Sequence, residues 1–411
     1  MTKTPEELLT ERTKRVWDAI ALKVPDRVPI FLPISVFGAK YGGITLKEAF
    51  ENSAKWYDIN EKLLLEYQPD FFLGPMGFDM ETNAIVGNKL MRWPGHGVDE
   101  NTTFQFVEGE HVKAEEYDAF LDNPGEFILR TYLPRVYSGL EGLSYMPSLM
   151  SLFTSMGMFF FIAMPPVAEA LENLTKAAKR GSQFMVSTAV FTSRMQPHGF
   201  PSLVGFGSQA PFDIISDYFR GLKGATLDMY RCPDKLLAAQ QKFLPYLINS
   251  SIAMGRMMPG TISFMALHRG SDGFMSLKQF ETFYWPGLKA ILLAMTDAGL
   301  TPFVFWEGSW DQRLEYLREL PKGKVVGWFD RTNLFKAKEV IGDTMCICGD
   351  MPLSLLQTGT PEQVKAYAKK LIDVVGKGGG FIMGSNTVLD NANPKLVKVW
   401  VDFTREYGVY R

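Results

Sequence analysis

The chain has 411 residues, of which 46% are hydrophobic and 21% are charged, a composition typical of a folded protein with a substantial core. Its 43 lysines and arginines nearly balance 45 aspartates and glutamates. Because nucleic-acid binding needs clustered cationic charge, this balance argues against a nucleic-acid partner. The three cysteines, Cys232, Cys346 and Cys348, are too few and too irregularly spaced for a disulfide framework, so we expect a reducing, cytoplasmic environment.

The chain opens with MTKTPEELLTERTKRVWDAI, which is charged and amphipathic and lacks the apolar core of a signal peptide. Residues 1–25 are therefore predicted to form a short helical arm. Residues 142–168 contain no charge, and an apolar run of that length is a candidate membrane span. Its internal Pro147 and Gly157, and the lack of flanking Lys/Arg clusters, favour a buried helix or the wall of an apolar cavity. We expect no membrane partner.

Eight short runs with the character of β-strands recur along the chain, separated by helical segments. They are residues 28–32, 70–73, 203–206, 262–266, 303–306, 325–329, 345–348 and 381–383. Their alternation with helices predicts an α/β fold with a parallel sheet, and eight repeats favour a closed (β/α)8 TIM barrel. The interval of about 76–200, which includes predicted antiparallel strands, is interpreted as an insertion that roofs the mouth of a single barrel domain spanning 1–411.

Working side chains of such a barrel lie at the carboxyl ends of its strands, so the residues that follow each run are the site candidates. His268 follows the fourth strand, Glu307 the fifth and Asp330 the sixth. Because these strands are consecutive, we expect the three side chains to converge and to carry catalysis. Glu307 is the strongest candidate, since a carboxylate between Trp306 and Trp310 needs a metal, a proton or a cation nearby.

Each candidate has a simpler interpretation. Asp330 could cap the helix that follows it, since an aspartate before a helix accepts hydrogen bonds from free N–H groups. His268 could be a hydrogen-bonded loop residue, although its neighbour Arg269 favours a functional role. Cys346 and Cys348 face the same side of a strand, but this spacing alone is weak evidence for zinc and favours buried core cysteines.

Five segments resemble the uroporphyrinogen decarboxylase superfamily over nearly the whole chain: DRVPI, APFDIISDYFRG, FMSLKQFETFYWPGLKAIL, FKAKEVIGDTMCICGDMPLSLLQTGTPEQV and GGGFIM. The resemblance implies a (β/α)8 barrel. True decarboxylases resemble one another in a loop of the form Met-Arg-Gln-Ala-Gly-Arg-Tyr after the first strand. Here that stretch reads FLPISVFGAKYGG, and no arginine lies between Arg27 and Arg92. A porphyrinogen carries many carboxylates that need fixed cationic partners, so we reject that activity.

The superfamily also contains cobalamin-dependent methyltransferases. The branch that methylates thiols carries His-x-Cys-Gly after strand five and a late cysteine, and these residues bind zinc. Here residues 305–308 read FWEG and residues 384–387 read GSNT, so those ligands are replaced. The resemblance therefore implies the O-demethylase branch, whose members move a methyl group from a methyl ether, often methoxyaromatic, to cob(I)alamin on a separate corrinoid protein.

Leaving-group assistance in such a reaction needs a proton donor or a Lewis acid near the ether oxygen. We expect Glu307, His268 and Asp330 either to bind a metal ion such as zinc or to relay a proton. The residues predicted to bind a small methoxyaromatic donor are Trp306, Trp310, Arg269, Asn386, Met150 and Phe153. A corrinoid protein and the methyl donor are the expected partners, and a homo-oligomer is compatible with the sequence.

Two other functions stay open at this point. One is a lyase or decarboxylase acting on a small acid, whose carboxylate Arg269 and Arg331 would bind. The other is a barrel that binds a ligand without catalysis, which non-convergence of the three candidate residues would favour.

Overall fold

The structure is a computed structural model, and it describes residues 3–75, 77, 79–154, 156–257 and 262–411. Its strands agree closely with the predicted runs. The strands in the described ranges are β1 (Phe31–Ser35), β2 (Phe71–Pro75), β3 (Met91–Pro94), β4 (Gly97–Val98), β5 (Gln105–Phe106), β6 (Val204–Phe206), β7 (Ile262–Leu267), β8 (Thr301–Trp306), β9 (Val326–Phe329), β10 (Cys346–Met351) and β11 (Phe381–Ser385). Apart from β3–β5, each of them overlaps one of the eight predicted strands.

Helices fill the intervals between the strands. Those before β6 are α1 (Pro5–Ile20), α2 (Phe37–Gly42), α3 (Leu46–Glu51), α4 (Ser53–Tyr67), α5 (Met80–Val86), α6 (Tyr117–Asp122), α7 (Pro124–Phe127), α8 (Leu133–Val136), α9 (Leu149–Thr154) and α10 (Pro165–Met195). The helix predicted for the N-terminal arm is therefore present as α1. It begins at Thr4, whose hydroxyl accepts a hydrogen bond from the Glu7 N–H.

The later helices follow the strands of the main sheet. They are α11 (Pro211–Ile214), α12 (Gly221–Arg231), α13 (Pro233–Met257), α14 (Leu277–Gln279), α15 (Trp285–Asp297), α16 (Leu314–Leu317), α17 (Leu334–Ile341), α18 (Leu353–Thr358), α19 (Pro361–Val374) and α20 (Pro394–Tyr407). Two π-helical turns, Ile215–Phe219 and Phe280–Tyr284, continue α11 and α14 without a break in the chain.

The main strands pair in parallel. β1 pairs with β2, and the other six form one sheet in the order β11-β10-β9-β8-β7-β6. A parallel bridge between Ile30 and Met383 connects the chain just before β1 to β11. Within the described residues no bridge joins β2 to β6. The fold is therefore α/β with a curled parallel sheet, and a fully closed (β/α)8 barrel stays a prediction.

Two apolar layers lie on the two faces of this sheet, because side chains alternate along a strand. The inner layer, on the concave face, includes Phe31, Phe71, Ile262, Phe303, Trp328, Cys346, Cys348 and Ile382. The outer layer, between the sheet and its helices, includes Met265, Leu267, Val304, Trp306, Phe329 and Ile347. The prediction that Cys346 and Cys348 are core residues is confirmed, since both are fully buried.

The segment between β2 and β6 is mostly helical. In it β3 pairs antiparallel with β5, as predicted, while β4 pairs parallel with β3. Its longest helix, α10, packs against α5 and against the 3₁₀ helix Ser138–Tyr145. That this segment roofs the mouth of the sheet stays a prediction.

Much of the described part of the uncharged run 142–168 is exposed, although Leu143, Met146 and Val167 are buried. It is divided among the end of one 3₁₀ helix, α9, the 3₁₀ helix Met156–Ala163 and the start of α10. Met150 is 65% exposed and Phe153 is 85% exposed, so the buried-helix alternative is wrong for them, and the cavity-wall alternative stays a prediction. Pro147 and Pro165 interrupt the run, and its short pieces cannot turn every apolar side chain toward α10. No helix in the described residues is both long and apolar enough to cross a membrane.

Candidate active site at the carboxyl ends of the strands

Three of the predicted site residues follow three adjacent strands, at what we call the mouth: the carboxyl ends of β7, β8 and β9. Leu267 pairs with Trp306, and Trp306 pairs with Phe329. His268, Glu307 and Asp330 are the next residues along these strands, so the register brings them to the same edge of the sheet. Their catalytic roles stay predictions, but they do converge.

His268 is held by a carboxylate. Its Nδ1 lies 2.5 Å from Oδ2 of Asp217, a residue of the π-helical turn that continues α11. Burial lowers the pKa of His268, but the hydrogen bond to Asp217 and the nearby carboxylates outweigh burial and raise it. Burial raises the pKa of Asp217, but the hydrogen bond to His268 has the larger combined effect with the nearby positive charges. The net result is that the pKa of Asp217 is lowered. These shifts favour an imidazolium paired with a carboxylate, and Nε2 is the nitrogen left to face a ligand.

A second carboxylate fixes the loop that carries this histidine. Asp213 is fully buried and accepts hydrogen bonds from the N–H groups of His268 and Arg269, each at 3.0 Å. It also accepts one from the Tyr284 hydroxyl at 2.7 Å. Burial raises the pKa of Asp213 to about 6, although His268 and these hydrogen bonds oppose the rise. Asp213 therefore sets the position of the His268 backbone.

Arg269 is tied to the same cluster. Its Nη2 donates to Oδ1 of Asp217 at 3.0 Å, and its guanidinium lies 5.8 Å from the ring centre of Phe274. Part of the negative charge of Asp217 is therefore balanced by a second cation. Arg331, by contrast, is 80% exposed and 3.7 Å from Asp330.

Glu307 differs from the other carboxylates of the mouth. Its side chain is open to solvent, and its carboxylate has no hydrogen-bond or ion-pair partner within the described residues. Even so, partial loss of water is the largest influence on the carboxyl and raises the pKa of Glu307, with a smaller contribution from Asp330. His268 and Arg269 act in the opposite direction. An accessible carboxyl with a raised pKa is suited to proton transfer.

Asp330 and Asn386 hold the strand ends together. Oδ2 of Asp330 accepts a hydrogen bond from the Gly308 N–H, and Oδ1 accepts one from Nδ2 of Asn386, both at 3.0 Å. The amide oxygen of Asn386 accepts in turn from the Leu353 N–H at 2.8 Å. The helix-capping interpretation of Asp330 is wrong, because Asn333 caps α17.

The tryptophans on either side of Glu307 belong to the outer layer. Trp306 and Trp310 are fully buried, with ring centres 4.7 Å apart. Nε1 of Trp310 donates to the carbonyl of Glu307 at 2.9 Å, so this ring holds the backbone at the site. Neither ring faces the mouth, and the predicted binding residues Met150 and Phe153 lie exposed on α9. The substrate-binding roles of these four residues stay untested predictions.

A family model described as uroporphyrinogen decarboxylase (URO-D) matches residues 161–407, more than half of the chain. The chain belongs to this family. Over 96% of its length it is similar to a solved structure, "methyltransferase from Methanosarcina mazei", of which 98% is covered, with a TM-score of 0.54 and 16% sequence identity. At that identity the likeness shows the fold alone. No curated protein sequence matches the chain.

In this URO-D family member the zinc site predicted at Glu307, His268 and Asp330 stays a prediction. Across the described ranges no group of three or more His, Cys, Asp or Glu side chains is arranged to hold a metal ion. Both oxygens of Asp330 accept hydrogen bonds, and Nδ1 of His268 is taken by Asp217. The proton-relay interpretation fits this arrangement better.

Sequence reasoning missed Asp213 and Asp217, the two carboxylates that position His268. Both lie in APFDIISDYFRG, one of the segments that resemble the URO-D superfamily. A signal was present: two aspartates four residues apart lie on one face of a helix, and this helix is otherwise apolar.

Proposed function

We propose that this URO-D family member is a methyltransferase that moves a methyl group from a small methoxyaromatic donor to cob(I)alamin on a separate corrinoid protein. The observation that carries the proposal is the hydrogen-bonded His268–Asp217 pair one strand away from the unpaired carboxyl of Glu307. The methyltransferase fold neighbour and the absence of the cationic loop that a porphyrinogen requires also support it.

Demethylation of an aryl ether leaves a phenolate-type oxygen, which is a poor leaving group without a proton or similar stabilisation. His268 can donate a proton from Nε2, while Asp217 keeps the proton on Nδ1 and fixes the ring orientation. Glu307 lies at the matching position of the neighbouring strand, about 4.8 Å away in the spacing of a sheet. It can therefore return a proton to His268 or orient the donor.

A bound, reduced corrinoid supplies the nucleophile that receives the methyl group. The tasks left to this chain are to align the donor, to keep its ether oxygen beside His268 and to limit water at the mouth. No residue of the chain needs to form a covalent intermediate. Consistent with this division of labour, Cys346 and Cys348 are buried in the first half of β10, away from its carboxyl end.

A decarboxylase acting on a small acid has less support. It needs a cation free to bind the substrate carboxylate, yet Arg269 is paired with Asp217 and Arg331 extends into solvent. A site of that kind gains affinity from a fixed, desolvated arginine, which neither residue provides.

Methylcobalamin formation tests the proposal. The purified chain, excess cob(I)alamin and a panel of methoxybenzenes are mixed under anaerobic conditions, and the corrinoid spectrum is followed. We expect methylcobalamin together with the matching phenol, and neither product with His268→Ala. Failure of every donor while the corrinoid stays reduced contradicts the proposal, and release of CO₂ from small aromatic acids identifies the decarboxylase instead.

A further inference from the structure

The inner face of the sheet is accessible near the mouth, whereas the outer face is closed. On β7 the inward Phe264 and Ala266 are half-buried, while the outward Met265 and Leu267 are fully buried. On β8 the inward Phe305 is half-buried in the same way. These inward side chains are therefore more accessible than their outward neighbours, and they face the space enclosed by the curled sheet.

The far side of this space is also apolar. Leu73 of β2 and Val204 of β6 pack with the inner layer and are half-buried. With Phe264, Ala266 and Phe305 they make a set of five inward, uncharged side chains. Ala266 and Phe305 lie nearest the mouth, whereas Phe264 and Val204 lie deeper, in register with Phe303 and Ile262. We call this set the ring niche. A lining of this kind favours an apolar ligand.

Aromatic rings form the floor of the niche. The Phe305 ring centre lies 4.4 Å from that of Trp328, and the Phe264 ring centre lies 6.2 Å from that of Trp328. Ala266 is the register partner of Phe305 on the adjacent strand. Because alanine carries only a methyl group, this level of β7 leaves room for a planar group beside Phe305.

Polar groups stand directly above the niche. His268 comes two residues after Ala266, and Glu307 comes two residues after Phe305. Two residues of a strand span about 7 Å, roughly the reach of one benzene ring with an ether oxygen. A ring beside Phe305 would therefore present its methoxy oxygen at the level of Nε2 of His268.

We propose that the ring niche is the specificity site for the donor: it accepts a single flat aromatic ring and places its ether oxygen beside His268. The proposal rests on the proposed function, which it deepens by assigning the residues that select the substrate. Aromatic pairs are favoured in offset or edge-to-face contact at centroid distances of about 4.5–7 Å, and a ring over Ala266 can meet Phe305 in that way. A saturated ring of similar size lacks this contact.

Equilibrium binding without any corrinoid tests the niche, with anisole and cyclohexyl methyl ether as the two probes. We expect calorimetry to show anisole bound about two- to tenfold more tightly, the range of an aromatic pair. Ala266→Leu fills the niche and should weaken anisole binding more than about tenfold, since overpacking excludes the ring. Met265→Leu, a volume-conserving change on the outward side of the same strand, is the matched control and should leave binding unchanged.

Phe305→Leu gives a second measurement that does not depend on the folding of Ala266→Leu. It should remove the preference for anisole and leave cyclohexyl methyl ether binding nearly unchanged. Wild-type affinity in a folded Ala266→Leu protein, retained preference in Phe305→Leu, or no anisole binding to the wild type overturns the niche. Methyl transfer without ring preference contradicts the niche alone, whereas ring preference without methyl transfer contradicts the proposed function alone.

Discussion

The two ends of the parallel sheet carry buried carboxylates in different surroundings. At the amino end Asp70 is fully buried just before β2, and its oxygens accept hydrogen bonds from Arg15 at 2.6 Å and Arg27 at 2.7 Å. The Ile30 N–H donates to the same carboxylate at 2.7 Å. Every charge of this cluster has a partner, so the arrangement fixes the fold and leaves no group free for chemistry.

At the carboxyl end the carboxylates outnumber their partners. Asp213, Asp217, Glu307 and Asp330 share the mouth with one histidine and one tied arginine, and Glu307 has no partner among the described residues. Burial without full compensation shifts pKa values and costs stability. The same residue type therefore stabilises one end of the sheet and prepares the other for proton transfer, a division of roles that is common at the two ends of barrel folds.

The largest expected effect is on catalysis. Glu307→Gln keeps the shape of the side chain but removes its charge and its exchangeable acid proton. We expect methylcobalamin formation to fall about 10²–10⁴-fold, the usual contribution of general acid–base catalysis, with anisole binding nearly unchanged. Glu315→Gln on the surface of α16 is the control and should retain wild-type turnover. Full activity of the Glu307 variant with excess cob(I)alamin would remove this residue from the mechanism.

Metal analysis sharpens the same experiment. Stoichiometric zinc in the purified wild-type protein that is lost in Glu307→Gln would favour a Lewis acid over the proton relay. Equal metal content in the two proteins, together with lost turnover, supports the relay.

The amino-end cluster should respond in stability instead. Asp70→Asn leaves Arg15 and Arg27 buried with less compensation, so we expect a loss of about 3–5 kcal/mol in the free energy of unfolding. Urea denaturation measures it. Asp26→Asn is the matched control, because Asp26 pairs with the same Arg15 but is 61% exposed, and it should cost no more than about 1 kcal/mol. Equal losses in both variants would remove the distinction between buried and exposed pairs.

Stability should also depend on pH through Asp213. Its pKa is raised to about 6 in the folded protein, against an ordinary value near 3.9 when unfolded. The unfolded state therefore releases this proton first, and the free energy of unfolding should fall by roughly 2–3 kcal/mol as pH rises from about 4 to 6. Asp213→Asn has no such proton, so its urea midpoint should not fall with pH in this way. This holds even if the variant is less stable than the wild type at every pH. An unchanged slope assigns the effect to another group.

Much of the fold and part of the site could be predicted from the sequence, for a physical reason. Glu307 and Asp330 follow short apolar runs, and in parallel sheets such runs mark strands whose carboxyl ends meet. The inward face of β8 could not be predicted, because residues 303–306 read FVFW. A strand that is buried on both faces shows no alternation of apolar and polar residues, so the sequence does not indicate which side chains point inward. The sequence therefore predicts Trp306 in the pocket that Phe305 faces in the structure. The partner of His268 was also hidden, since Asp217 lies 51 residues away in sequence.

The smallest expected effect, and the most diagnostic one, concerns Asp217→Asn. The negative charge of Asp217 raises the pKa of His268, so its removal should lower that pKa. A proton donor works only below its pKa, and the alkaline limb of the pH–rate profile should therefore move to lower pH in the variant. We expect roughly a tenfold loss of turnover on the alkaline side and little change on the acid side, because His268 is protonated there with or without its partner. A purely structural role for Asp217 would lower turnover equally at all pH values. Asp217→Glu keeps the charge and should restore the wild-type limb, which separates electrostatic tuning of His268 from simple damage to the loop.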